Sequence, residues 1–233
     1  MIPIRDDTPR YSTPYVTYFI IGLNVLVFLF ELSVEAQGPR ALSSLIQQFG
    51  VVPRHFLRAI GGHGASLPNL LLPIFTSMFL HAGWAHIIGN MWFLWIFGDN
   101  IEDHLGHFVF LLFYLVSGIA AAVLYILLDS SSNVPTLGAS GAIAGVMGGY
   151  FVLYPRARVL TWFPPIFFFY LPAWVMLGYW FVYQFLSGAA ISAAGVQNMG
   201  GIAFWAHVGG FVAGMVLIKL LPERARRRRY AAW

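Results

Sequence analysis

Charge is scarce in this chain. Of 233 residues only 9% are Asp, Glu, Lys or Arg, while 59% are hydrophobic and mean hydropathy is +0.73. A soluble domain carries about 25% charged residues, so composition argues against a soluble fold. Cysteine is absent altogether. That excludes disulfides, Cys-ligated zinc, iron–sulfur clusters and thiol nucleophiles, and it implies no particular redox compartment. A basic surface is also missing. The net charge is +4, but Lys219, Arg224 and Arg226 to Arg229 supply six of the 13 basic residues. They form a tail, whereas a nucleic-acid binder spreads Lys and Arg over a folded face, so no nucleic-acid partner is expected. Nor is there a convincing internal repeat of the kind that builds transporters.

What is present is a series of charge-free apolar runs. About 20 residues of helix cross the roughly 30 Å hydrocarbon core. On that measure the sequence predicts spans at 15–34, 78–98, 107–128, from Ser140 to about 155, 166–187 and 203–221. The run from Val159 to Ile218 is too long for one helix, and its Gly-, Ser-, Asn- and Gln-containing stretch 187–202 divides it into two. The opening MIPIRDDTPR is weakly charged and the first apolar run is long, which does not suit a cleavable signal. The expected fold is therefore an all-α polytopic membrane protein with six helices. Residues 1–14 make a short N-terminal segment, 15–221 the membrane domain and 222–233 a basic tail.

Six spans put both termini on one side of the bilayer. With the termini inside, the inner segments hold Arg5, Arg10, Arg156, Arg158, Lys219, Arg224 and Arg226 to Arg229, against Arg40, Arg54 and Arg58 outside. The positive-inside rule thus predicts cytoplasmic termini, in a plasma or bacterial inner membrane. The tail reads as an anchor at an anionic leaflet, with membrane lipids as its partner.

Polar side chains inside a bilayer are costly and usually functional. His86 and Asn90 in the second span, Ser140 at the start of the fourth and His207 in the sixth meet that description. In the expected topology these spans run the same way, and His86, Ser140 and His207 share a depth below the outer surface. His86 and Asn90 are four residues apart and project from one helix face. The pair suits either a structural hydrogen bond or two donors to a developing negative charge. Ser140 follows a Pro- and Gly-containing stretch, which places it at a helix N-terminus with free N–H groups and the positive dipole end. Taken alone, Gly138-Ala139-Ser140-Gly141 is a weak pattern in a chain with 24 glycines. Alone, it more often marks a serine bonded to its own helix or a small residue in a tight helix contact. His207 shares its face with Gly210 and Gly214, and Gly141, Gly145 and Gly149 repeat at four-residue spacing. If those small faces pack together, Ser140 and His207 come within reach of one another. His81 projects away from His86 and reads as a residue bracing the loop.

Serine attack on a carbonyl needs a base for its proton and donors for the oxyanion. Ser140, His207 and the His86/Asn90 pair suit those roles. None of the nine acids lies at this depth in the expected topology, Asp129 being the nearest, so a Ser–His dyad is predicted rather than a triad. His81, His86 and His207 lack metal-ligand spacing and an accompanying acid, so no metal is expected.

Together, His81-x4-His86-x3-Asn90, Gly138-Ala139-Ser140-Gly141 and Ala206-His207-x-x-Gly210-x-x-x-Gly214 resemble the rhomboid family of intramembrane serine proteases. Glu102-x-x-x-Gly106 is a further match. The resemblance implies a six-helix bundle with a water-filled outer cavity. It implies Ser140 as nucleophile and His207 as general base. It gives the oxyanion hole to His86, Asn90 and the Ser140 backbone N–H, with His81, Gly138, Gly141, Gly210 and Gly214 in support. It implies no cofactor, and substrates that are single-pass membrane proteins cut within or beside their transmembrane segment. It does not indicate an oligomeric state. The competing expectations are a non-catalytic relative that binds membrane proteins, which usually lacks the serine or histidine, and a transporter.

Two departures stand out. Many bacterial members carry Trp-Arg shortly before the second span, where this chain has Leu67-Pro68-Asn69-Leu70-Leu71-Leu72-Pro73. Some members stack an aromatic from one turn after the nucleophile on the catalytic histidine, where this chain has Ala144. Some other residue must then hold the His207 ring. The aromatic-rich fifth span, with Phe167 to Tyr170, Trp174, Tyr179 to Phe181, Tyr183 and Phe185, reads as lipid-facing bulk or as a movable gate capped by 187–202.

Overall fold

The computed structural model describes residues 1–61, 67–194 and 203–224, with 67–69 by backbone alone. Strand β1 (Ile2–Asp6) leads into helix α1 (Tyr15–Glu35), followed by short helices α2 (Pro39–Phe49), α3 (Pro53–Ile60) and α4 (Leu67–Thr76). Helices α5 (Trp84–Leu105), α6 (His107–Leu128) and α7 (Ser140–Leu153) come next. Strands β2 (Arg158–Phe163) and β3 (Phe167–Pro172) precede the last helices, α8 (Ala173–Ala194) and α9 (Phe204–Leu220).

Among the described residues, α1, α6 and α8 are long and apolar enough to cross a membrane, and Leu70–Phe79 with Trp84–Leu105 makes a fourth candidate bent by 83°. Helices α7 and α9 are apolar but shorter, at 14 and 17 residues. The burial pattern is that of a protein in lipid. On α1 the buried stripe is Thr17, Ile20, Asn24, Phe28 and Glu31, spaced by three and four, while Phe19, Leu26, Leu29 and Phe30 face outward. Polar groups inside and large apolar groups outside invert the arrangement of a water-soluble helix.

Two carboxylates fasten α1. At its start Glu102 accepts the backbone N–H groups of Val16 (2.9 Å) and Thr17 (2.7 Å) and the Thr17 hydroxyl (2.7 Å), and it also meets His107 Nδ1 at 2.6 Å. First-turn N–H groups have no intrahelical acceptor, and a negative charge suits that end of the helix dipole. At the other end Glu31 accepts the backbone N–H of His81 with both oxygens, at 3.1 and 3.0 Å.

Helix α7 sits at the centre, buried from Ala142 to Tyr150 and packed by α5, α6, α8 and α9. Its glycine face meets that of α9. A Cβ on Gly210 would fall on the Gly141 carbonyl, and one on Gly214 would fall on the Gly145 carbonyl. Only glycine allows backbones so close.

The sequence expectation needs several corrections. The chain is not all helical: β1, β2 and β3 form an antiparallel sheet in that order, pairing Ile2 with Trp162 and Arg158 with Pro172. The first 14 residues thus carry a strand rather than a plain extension. The fifth helix begins at Ala173, not 166, and runs to Ala194, because Phe167 to Tyr170 belong to β3. The second begins at Trp84, not 78, after a 3-10 turn at Ser77–Phe79. The proposed cap at 187–202 is helical to Ala194, its remainder lies outside the described residues, and so do the tail arginines Arg226 to Arg229.

The first loop is fastened without Trp-Arg. Val51 and Thr136 exchange two backbone hydrogen bonds (3.0 and 2.8 Å), and Arg54 N–H donates to the Ser132 carbonyl at 3.1 Å. The Thr76 hydroxyl donates to the Phe49 carbonyl at 2.7 Å. The Val51 and Arg54 bonds tie the loop to the segment that leads into α7, and the Thr76 bond joins α4 to the end of α2.

Candidate active site

Ser140 is the first residue of α7, and His207 lies in the first turn of α9. Close approach of the two glycine faces brings the side chains together: Ser140 Oγ is 2.8 Å from His207 Nε2. Both residues are half-buried. The turn before Ser140 is fixed by Gly138, whose N–H donates to the Ser77 carbonyl at 2.8 Å. Gly138 has φ +117°, a region other residues rarely adopt, and a Cβ there would meet His86 Cε1 and Nε2 at 2.7 Å and Asn90 Nδ2 at 3.5 Å. The missing side chain leaves room for the His86 and Asn90 heads beside the start of α7.

Those two heads are donors. His86 Nδ1 accepts the Ala82 N–H at 3.4 Å, which puts the imidazole proton on Nε2, the atom that faces Gly138. Asn90 is buried, and its Nδ2 has no hydrogen-bond partner among the described residues. An unpaired buried amide donor is costly, and its position beside Ser140 supplies a reason for its retention. As the first residue of α7, Ser140 also has a backbone N–H with no intrahelical acceptor.

His81 ties down the turn before α5. Its N–H is held by Glu31 and its Nδ1 lies 3.2 Å from the Phe79 carbonyl; contrary to the expectation that it projects away from His86, its ring meets that imidazole edge to face at 5.2 Å. Glu31 corrects the expectation that no acid lies at this depth: it is buried directly behind His81. Asp129 is not among the hydrogen-bond partners of His207 in the described residues. It lies beside Tyr125 in the loop after α6, where burial pushes its carboxyl up against the opposing effect of the Tyr125 hydroxyl. Among the described residues no three His, Asp or Glu side chains are grouped to hold a metal ion.

Two residues that the sequence reading did not single out complete the surroundings of His207, and both come from α8. Gln184, buried, presents its Oε1 at 2.9 Å from His207 Nδ1. The Trp180 ring lies against the imidazole, with centroids 5.6 Å apart and planes 36° from parallel. Trp180 thus supplies the aromatic contact to His207 that Ala144 cannot. The signal was present, since Gln184 is the one amide in an aromatic helix and Trp180 stands four residues before it, on the same face.

Such an arrangement can deprotonate a serine hydroxyl and offer donors to an oxyanion beside it. A sequence model of the rhomboid domain matches residues 68–224. Rhomboid protein 1, mitochondrial, of Saccharomyces cerevisiae is 29% identical over 226 residues, covering 92% of this chain and 56% of that protein. Rhomboid-like protein 11, chloroplastic, of Arabidopsis thaliana is 30% identical over 159 residues, 64% of this chain and 51% of its own length. Presenilin-associated rhomboid-like protein, mitochondrial, of Bos taurus is 30% identical over 155 residues, 63% and 37% respectively. The chain spans about half the length, or less, of these relatives. With the rhomboid domain covering most of its length, this multi-pass membrane protein belongs to the rhomboid family.

Proposed function

We propose that the protein is an intramembrane serine endopeptidase that cuts single-pass membrane proteins within or near their transmembrane segment. The observation that carries this reading is the 2.8 Å contact between Ser140 Oγ and His207 Nε2 at a helix N-terminus. In the reaction, His207 Nε2 takes the Ser140 proton as Oγ attacks the substrate carbonyl. Negative charge then develops on the carbonyl oxygen. His86 Nε2–H, Asn90 Nδ2–H and the Ser140 backbone N–H donate to it. Collapse expels the amine, which takes its proton from His207. Water, activated by the same base, then hydrolyses the acyl-enzyme. The chain's own residues perform each step, and no cofactor is needed.

In the bilayer, α1, the bent α4–α5 unit, α6, α7, α8 and α9 form a six-helix bundle. The distribution of basic residues supports termini on the cytoplasmic side. Helix α8 packs on α9 and α7 and carries exposed aromatics, including Trp174, Tyr179, Tyr183 and Phe185. That face suits contact with lipid or with an arriving substrate helix. The test is cleavage of a single-pass reporter in proteoliposomes. Wild type should yield two fragments and Ser140→Ala none. Equal cleavage by both variants would overturn the reading.

A further inference from the structure

We infer that Gln184, carried by α8, is the positioning residue for the His207 imidazole, so that the base is competent only while α8 is docked on α9. This inference rests on the protease reading above. The contact that carries it is Gln184 Oε1 to His207 Nδ1 at 2.9 Å, with Gln184 buried and His207 Nε2 turned to Ser140 at 2.8 Å.

The geometry assigns the proton. An amide oxygen only accepts, so Nδ1 must carry the hydrogen. Nε2 is then left with its lone pair toward the Ser140 hydroxyl, the tautomer a general base needs. No other described residue supplies that acceptor. Ala144 offers a methyl group, Glu31 is engaged by the His81 N–H, and Asp129 lies with Tyr125. An amide fixes the tautomer without bringing a buried negative charge, which would cost desolvation.

The acceptor stands on a different helix from the dyad. Trp180, Gln184 and Gly188 recur every four residues on α8 and make one face. Trp180 lies against His207 and, at 6.1 Å between ring centroids, near Phe211. At Gly188 a Cβ would meet the Trp205 ring at 3.1 Å. The ring contact, the hydrogen bond and the close approach therefore sit on the same surface, and separating α8 from α9 removes all three. The titratable groups around this part of α9 are His86 from α5, Ser140 from α7, Tyr125 from α6 beside Ala206, and Tyr183 from α8 beside Phe204.

Histidine nitrogen NMR of the full chain in nanodiscs tests the assignment, with His207 identified by its loss in His207→Gln. Wild type should show the Nδ1–H tautomer. Gln184→Leu should shift His207 toward Nε2–H and slow fluorophosphonate labelling of Ser140 by at least about tenfold. Gln184→Glu keeps an acceptor, so it should restore Nδ1–H and move the acid limb of the labelling rate upward by about one pH unit or more. A His207 tautomer unchanged in Gln184→Leu, or an acid limb unmoved in Gln184→Glu, overturns the assignment. Absence of Ser140 labelling in wild type would instead strike the protease reading, and the tautomer result would still decide the role of Gln184.

Discussion

Gly141 on α7 and Gly210 on α9 stand so close that a single methyl group on Gly210 would overlap the Gly141 carbonyl. This contact, one residue after Ser140 and three after His207, sets the distance between the two side chains. Gly210→Ala should therefore act on both fold and site. Overpacking of this kind costs about 1–3 kcal/mol, and the displaced α9 should carry His207 out of reach of Ser140. The expected result is a lower thermal midpoint together with loss of proteolysis. Gly22→Ala is the control, because a Cβ on Gly22 meets nothing within 4 Å.

Asn90 should behave in the opposite way. Its Nδ2 is buried and has no partner among the described residues, so Asn90→Ala removes a buried donor that makes no hydrogen bond there in the resting protein. Loss of one oxyanion donor typically lowers kcat by about 10²–10³-fold. Turnover should fall by that order while the thermal midpoint holds or rises. A fall in both would show Asn90 to be a structural residue.

Glu102 tests the fastening of α1. Its two oxygens serve the N–H groups of Val16 and Thr17, the Thr17 hydroxyl and His107. Glu102→Gln keeps one acceptor oxygen and turns an NH2 group toward donors. Hydrogen bonds to a charged group are worth about 1.5–3 kcal/mol. The variant should melt earlier, and hydrogen exchange should be faster at the first turn of α1.

The pH dependence follows from the base. His207 can accept the Ser140 proton only when neutral. Lowering the pH protonates Nε2, so kcat/KM should fall on the acid side with a slope of one proton. A kcat/KM independent of pH throughout the acid range would exclude His207 as the base.

Much of this was legible in the sequence because lipid makes polar residues conspicuous. Four polar side chains in apolar runs pointed to Ser140, His207, His86 and Asn90, and the glycine spacings to the α7–α9 contact. The aromatic hairpin was not legible by hydropathy. Phe167 to Tyr170 are as apolar as a span, and only Pro164, Pro165 and Pro172, together with the β-branched and aromatic run of β2, marked two strands and a turn. The position of Glu31 is not legible from depth along a straight helix, because the chain between Phe79 and Trp84 bends back toward the end of α1. Gln184 is conspicuous as the one amide of an aromatic helix, but spacing within α8 does not name its partner on α9.

The most direct test of the central claim is the site of covalent capture. Detergent-purified protein is treated with a fluorophosphonate probe, digested and mapped by mass spectrometry, with Ser140→Ala and His207→Ala in parallel. Wild type should carry an adduct on Ser140, and neither variant should carry one. Folded wild type that carries no adduct, or carries it on another serine, would contradict the claim.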